Sequence, residues 1–90
     1  MLHIIAYDIS EDKRLRRVAR ICEDFGARIE KSVFECDLDD RDFERLWQRL
    51  ADVVTDGDSV VDYPIPQPYR DRIRILGAPR REEPTGTIVF

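Results

Sequence analysis

Ninety residues leave room for one domain with one modest core, since a chain of this size buries only about 60 to 65% of the surface its unfolded form exposes. Fifteen Lys and Arg against 19 Asp and Glu give a net charge of -4 and a pI near 4.9, which excludes an indiscriminate polyanion binder. No apolar run reaches membrane-spanning length and no signal-peptide pattern precedes the first apolar stretch, so the expectation is a cytoplasmic protein with no membrane partner.

The average charge conceals segregation. Residues 13–31 hold seven basic and three acidic side chains, residues 70–81 hold five and one, and residues 35–58 hold three and nine. Thirteen of the basic residues are Arg, whose planar fork suits phosphates and carboxylates, although a codon bias towards Arg accounts for the ratio equally well. Cys22 and Cys36 stand in apolar surroundings without CxxC or His spacing, as reduced core thiols do.

Met1–Ser10 reads M-L-H-I-I-A-Y-D-I-S. Leu2, Ile4 and Ala6 fall on one side of a strand and His3, Ile5, Tyr7 and Ile9 on the other, the pattern of a central strand buried on both faces. Asp8 sits at its end, where strand gives way to helix; a carboxylate there is either a cap for that helix or a functional group.

Ser10 or Asp12 is placed to cap a first helix running to Gly26, a suitable C′ residue, with Leu15, Val18, Ala19, Cys22 and Phe25 as its apolar stripe. Lys13, Arg16, Arg17 and Arg20 occupy the opposite face. Such a row is ordinarily a solvated surface. Here, however, Lys13, Arg14, Arg16 and Arg17 crowd the N-terminal half while Glu23 and Asp24 end the helix, against the macrodipole at about 0.3–1 kcal/mol per exposed end charge. The second helix, Asp40 to about Val54, follows the dipole, with Asp40, Asp42 and Glu44 first and Arg45 and Arg49 later. Its apolar residues Phe43, Leu46, Trp47, Leu50 and Val54 recur at helical spacing.

Between the helices, Ala27–Leu38 has Phe34, Cys36 and Leu38 alternating out of phase with Ile29 and Val33. A bulge or break near Lys31 and Ser32 reconciles them, giving one bent strand or two short ones. Phe34 fits core or interface. Ser59–Ile65 is a predicted strand with Val61, Tyr63 and Ile65 on one face, ended by Pro64, Pro66 and Pro68. Tyr69–Leu76 reads as a further strand with a basic face, and Gly77–Thr87 as a loop. Residues 87–90, containing Ile88 and Val89, read as a short edge strand added to this sheet or a partner's.

This order predicts a single α+β domain over residues 1–90, an antiparallel sheet with both helices on one face and a short C-terminal strand. Two helices cover one face only, whereas the first strand asks for burial on both, so a homodimer is expected. An isologous interface sets each residue near the axis opposite its own copy. Two Asp8 carboxylates so placed would need a proton or a cation between them, and Mg²⁺, which accepts one or two carboxylates and keeps several waters, suits the arrangement.

Tyr7-Asp8-Ile9-Ser10, Arg14-Leu15-Arg16-Arg17-Val18-Ala19, Gly26-Ala27-Arg28-Ile29, Ser32-Val33-Phe34-Glu35-Cys36, Asp58-Ser59-Val60-Val61 and Arg72-Ile73-Arg74-Ile75-Leu76-Gly77 together resemble the Cas2 family, the smaller core protein of CRISPR adaptation. The resemblance implies a ferredoxin-like fold, a homodimer, and partnership with the Cas1 integrase in capturing DNA as new spacers; Tyr7, Phe34, Ile88 and Val89 are the expected interface residues. It also implies that Asp8 is the Mg²⁺ ligand, some relatives being metal-dependent endonucleases on RNA or double-stranded DNA and others non-catalytic scaffolds; in an endonuclease Asp8 is the candidate catalytic carboxylate, and Arg14, Arg16, Arg17 and Arg28 are the candidate phosphate contacts. Glu30 and Asp62 depart from the family pattern by adding negative charge beside candidate binding strands.

Three functions follow. One is a metal-dependent phosphodiesterase centred on Asp8, which would also fit a VapD-like toxin nuclease; His3, in the middle of the first strand, reads as packed rather than catalytic. A second is a scaffold that holds duplex DNA by backbone contacts while docking Cas1. The third, a regulatory ferredoxin-like domain binding a small molecule, lacks any Gly-rich ligand cradle.

Overall fold

A computed structural model describes residues 1–77. The expected loop beyond Gly77 and the edge strand at 87–90, with Ile88 and Val89, lie outside the described residues. The elements run β1 (Leu2–Asp8), α1 (Asp12–Glu23), β2 (Ala27–Glu30), β3 (Val33–Asp37), α2 (Asp40–Ala51), β4 (Ser59–Ile65) and a one-turn α3 (Gln67–Arg70). The sheet order is β2-β3-β1-β4 with every pair antiparallel, the ferredoxin-like arrangement expected from the sequence.

Central placement of β1 follows from its apolar residues on both sides. His3, Ile5, Tyr7 and Ile9 face the helices, and with Phe34 and Cys36 of β3, Val18, Ile21 and Cys22 of α1 and Leu46 and Leu50 of α2 they are buried. Ile5, Val18, Cys22, Phe34, Cys36 and Leu46 are fully enclosed. Each large apolar side chain so enclosed stabilises the fold by about 1.5–3 kcal/mol.

The 27–38 stretch resolves into two strands, with a register shift between Arg28 and Glu30 that absorbs the change of phase. The cap of α1 is Glu11, whose carboxylate accepts from the backbone N–H of Lys13 at 2.9 Å and Arg14 at 3.0 Å, rather than Ser10 or Asp12. These two bonds, reinforced by the positive helix end, hold the Glu11 carboxyl below its ordinary range. Gly26 is not in the left-handed region expected of a C′ glycine. It is required by close approach: a Cβ there would meet the Glu35 carbonyl oxygen at 2.1 Å.

Tyr69–Leu76 is not the strand its alternation predicts. Pro66 stands at the N-cap position of α3 and Pro68 in its first turn, a turn follows at Asp71 and Arg72, and residues 73–76 have no regular structure. A strand needs a ladder partner, and none pairs with this stretch among the described residues. Arg70 of α3 instead bonds the Asp37 carboxylate on β3. Leu2 lies in register between Asp37 and Ile65 and is buried, on the side away from the helices.

Candidate functional site

Strand parity sends Asp8 to the side of the sheet opposite the helices, together with Ile4, Ala6, Val33, Val61 and Tyr63. Asp8 is exposed, and its cross-strand partner is Ser59 at the start of β4. On its other flank the β2–β3 turn closes against β1 through the bond from Tyr7 N–H to the Ser32 carbonyl, 3.1 Å. Ile4 and Ala6 are half-buried, while Val61 and Tyr63 are exposed at 38% and 55%. Among the described residues this face is therefore largely apolar and, towards β4, exposed, with Asp8 at its tip and a second acid, the buried Glu35, in register with Ile4.

Behind Asp8, on the helix side, a second acid is fully occupied. The Asp58 side chain is 0% exposed. One of its oxygens accepts from the Ser10 N–H (3.2 Å), the Ser10 hydroxyl (3.3 Å) and Arg14 Nη2 (3.3 Å); the other accepts from Arg14 Nε (2.9 Å), the Thr55 N–H (3.1 Å) and the Thr55 hydroxyl (3.2 Å). The guanidinium first, then the Thr55 and Ser10 donors, hold the Asp58 carboxyl far below the usual carboxylate range, and Arg14 is correspondingly harder to deprotonate. The sequence shows the T-D-G-D turn but not this clamp; its signal is that Asp58 shares the inward parity of Val60 and Asp62, where an acid must find a cation.

The four candidate phosphate-binding arginines are thus not equivalent. Arg14 is engaged by Asp58, and Arg28 donates to the Lys31 carbonyl (2.6 Å) and Glu23 (3.4 Å) while lying over the Phe34 ring at 4.9 Å. Arg16 and Arg17 project from the exposed side of α1. They lie on the helix side of the sheet and Asp8 on the other, so only the end of the sheet, where β1 passes into α1, brings the two surfaces together.

Tyr7 and Phe34, expected at a subunit interface, belong instead to the protomer's own core. They face the helices, 6% and 0% exposed, with ring centroids 6.2 Å apart. Parity decides this: both lie on the side opposite Asp8. The Tyr7 hydroxyl is buried without a hydrogen-bond partner, and burial raises its pKa against the opposing pull of Arg28. His3 is packed, as expected, stacked on Phe43 at 4.1 Å with Nδ1 2.8 Å from an Asp62 carboxylate oxygen. Asp62 is therefore held against His3, on the helix side, and not beside Asp8. Burial pushes both Cys22 and Cys36 up to about 12, as inert core thiols require.

Among the described residues no three potential metal ligands gather in one place. Asp8 can supply one carboxylate, which fits Mg²⁺ only as an ion that keeps waters and takes its other oxygens from a phosphate or a second copy of the chain.

A sequence profile of the family described as CRISPR associated protein Cas2 matches residues 1–73. The chain belongs to the Cas2 family. A Cas2 of Moorella thermoacetica, named as a CRISPR-associated endoribonuclease, is 40% identical over 83 residues, covering 86% of each chain. A Cas2 of Halalkalibacterium halodurans, named as a CRISPR-associated endonuclease, is 33% identical over 84 residues, with 87% of this chain and 88% of the relative covered. The crystal structure of Streptococcus pyogenes Cas2 superposes with a TM-score of 0.73 at 32% identity, covering 86% of this chain and all of that one. The resemblance read from the residues is the family found, and the fold agrees. No helix among the described residues is long and apolar enough to cross a membrane.

Proposed function

We propose that this Cas2 chain is a homodimeric, Mg²⁺-dependent endonuclease of CRISPR adaptation that also holds nucleic acid for the Cas1 integrase. One observation carries the reading: Asp8 stands exposed at the end of a central strand, on the sheet face that the helices leave uncovered, beside Ile4, Ala6, Val61 and Tyr63. Burying that apolar surface against a second copy would bring the two Asp8 carboxylates towards a common axis. Relatives named as endoribonuclease and endonuclease support phosphodiester hydrolysis on RNA, with duplex DNA as the other candidate substrate.

In this reading Asp8 would hold a divalent ion together with its copy across the axis, and that ion, when bound, would supply electrostatic stabilisation of the charge that develops on a phosphate. Arg16 and Arg17 contact the nucleic-acid backbone away from the cut, fixing position without reading sequence. The uncovered face excludes water from the seam once paired, which strengthens each charge interaction there.

The scaffold role rests on the same dimer and needs only the backbone contacts. Wild type and Asp8→Ala are to be assayed for Mg²⁺-dependent cleavage of RNA and duplex DNA, and for spacer acquisition with Cas1. Cleavage lost with acquisition retained assigns the cellular role to the scaffold. Absence of wild-type cleavage with every divalent ion and pH tried removes the enzyme.

A further inference from the structure

We propose that Asp58 and Arg14 act together as a positioning pair that fixes the backbone turn following Asp8, and that Arg14 therefore serves the site from behind rather than by touching phosphate. This rests on Asp8 being the functional carboxylate.

The geometry is specific to that task. Asp58 directly precedes Ser59, the cross-strand partner of Asp8, and accepts both donors of Ser10, two residues beyond Asp8. It thereby binds the two strand ends on either side of the site into one unit, with the Thr55 donors fixing the far side of the turn. Its side chain points to the helix side and Asp8 to the other, so Asp58 cannot be a second ligand beside Asp8. Arg14 satisfies one lone pair on each Asp58 oxygen and reaches Ser10 Oγ at 3.4 Å, leaving a fully enclosed carboxylate with six donors. The pair also accounts for part of the basic crowding at the start of α1: Arg14 opposes the helix dipole because Asp58 lies across from it.

A carboxylate that has to meet a phosphate within a fraction of an ångström depends on the backbone that carries it, and a shift of 1 Å at such a group costs up to about 100-fold in rate. Without the clamp, the Ser10 N–H and the turn around it are free to move, and Asp8 with them.

The test uses the full chain as Asp58→Asn, Arg14→Gln and the double variant, with Asp8→Asn as control, each assayed well below its own melting temperature. Three readouts are taken: kcat and KM for RNA cleavage with their salt dependence, hydrogen exchange of the Ser10 amide, and the NMR shift of the Asp8 carboxyl carbon. We expect kcat to fall about tenfold or more in each single variant with KM within about twofold, and the double variant to be no worse than the weaker single, as residues acting as one unit behave. Ser10 exchange should quicken in all three and the Asp8 shift should move. Asp8→Asn should leave Ser10 protected.

A rise in KM and a salt slope reduced by about 0.7 to 0.9 for Arg14→Gln alone would make Arg14 a phosphate contact and overturn the inference. Unchanged kcat with only a lowered melting temperature would reduce the pair to a structural clamp and overturn it too. Should the wild type not cleave, the enzyme reading fails by itself. The pair is then judged by Ser10 exchange and the Asp8 shift: changes in both support it, and no change refutes it.

Discussion

The two faces of the sheet are built from the same strands and obey different rules. On the helix side Ile5, Phe34 and Cys36 are fully enclosed, and the two inward acids of β4 and the turn before it are paired: Asp58 has Arg14, and Asp62 has His3. On the other side Leu2 and Glu35 are buried, but Val61 and Tyr63 of β4 stand in solvent. The difference separates what holds the fold from what the fold presents. Residues on the first face should report on stability, and those on the second on association and chemistry.

The largest effect expected is on the closed face. Phe34→Ala removes an enclosed ring and should cost about 3–5 kcal/mol in urea unfolding, enough to unfold much of so small a domain. On the open face, Tyr63→Asp should leave the melting temperature nearly unchanged at concentrations where the chain is monomeric, yet raise the dimer dissociation constant about tenfold or more by sedimentation. A Tyr63→Asp protein that fails to fold would erase the distinction between the faces.

The closed face should also respond to acid. The folded Asp58 carboxyl titrates below its unfolded value of about 3.9, so it contributes stability above that pH and loses it progressively as pH falls towards the folded value. Asp58→Asn should flatten the acid limb of the stability curve. Smallest are the effects of the α1 surface: Arg16→Ala and Arg17→Ala should each lower the slope of log affinity against log salt by about 0.7 for single strands or 0.9 for duplex DNA, leaving stability alone. An unchanged slope would remove these residues from the binding surface.

Much of this was legible from residues alone. The double-sided apolar pattern of residues 2–9 placed β1 at the centre, the spacing in α2 defined a helix, and the Tyr7–Ser10 and Ser32–Cys36 motifs pointed to the Cas2 family that the comparisons found. What escaped was pairing between distant side chains. Nothing local links Arg14 to a residue 44 positions away, so its partner is seen only once the turn before β4 is folded beside α1. Tyr7 and Phe34 look like interface residues by type alone, but their parity puts them with Ile5 and Cys36, under the helices. The strand read into Tyr69–Leu76 had the alternation but no neighbour to pair with, and alternation alone does not make a ladder.

The claim on which the account turns is that Asp8, on the uncovered face, works at a seam between two copies. It is tested most directly by Mg²⁺-dependent RNA cleavage by wild type and Asp8→Asn over a dilution series crossing the dimer dissociation constant. Asp8→Asn should not cleave, and wild-type activity per chain should fall as the dimer dissociates. Cleavage by Asp8→Asn at the wild-type rate, or full activity per chain from the monomer, would contradict the claim.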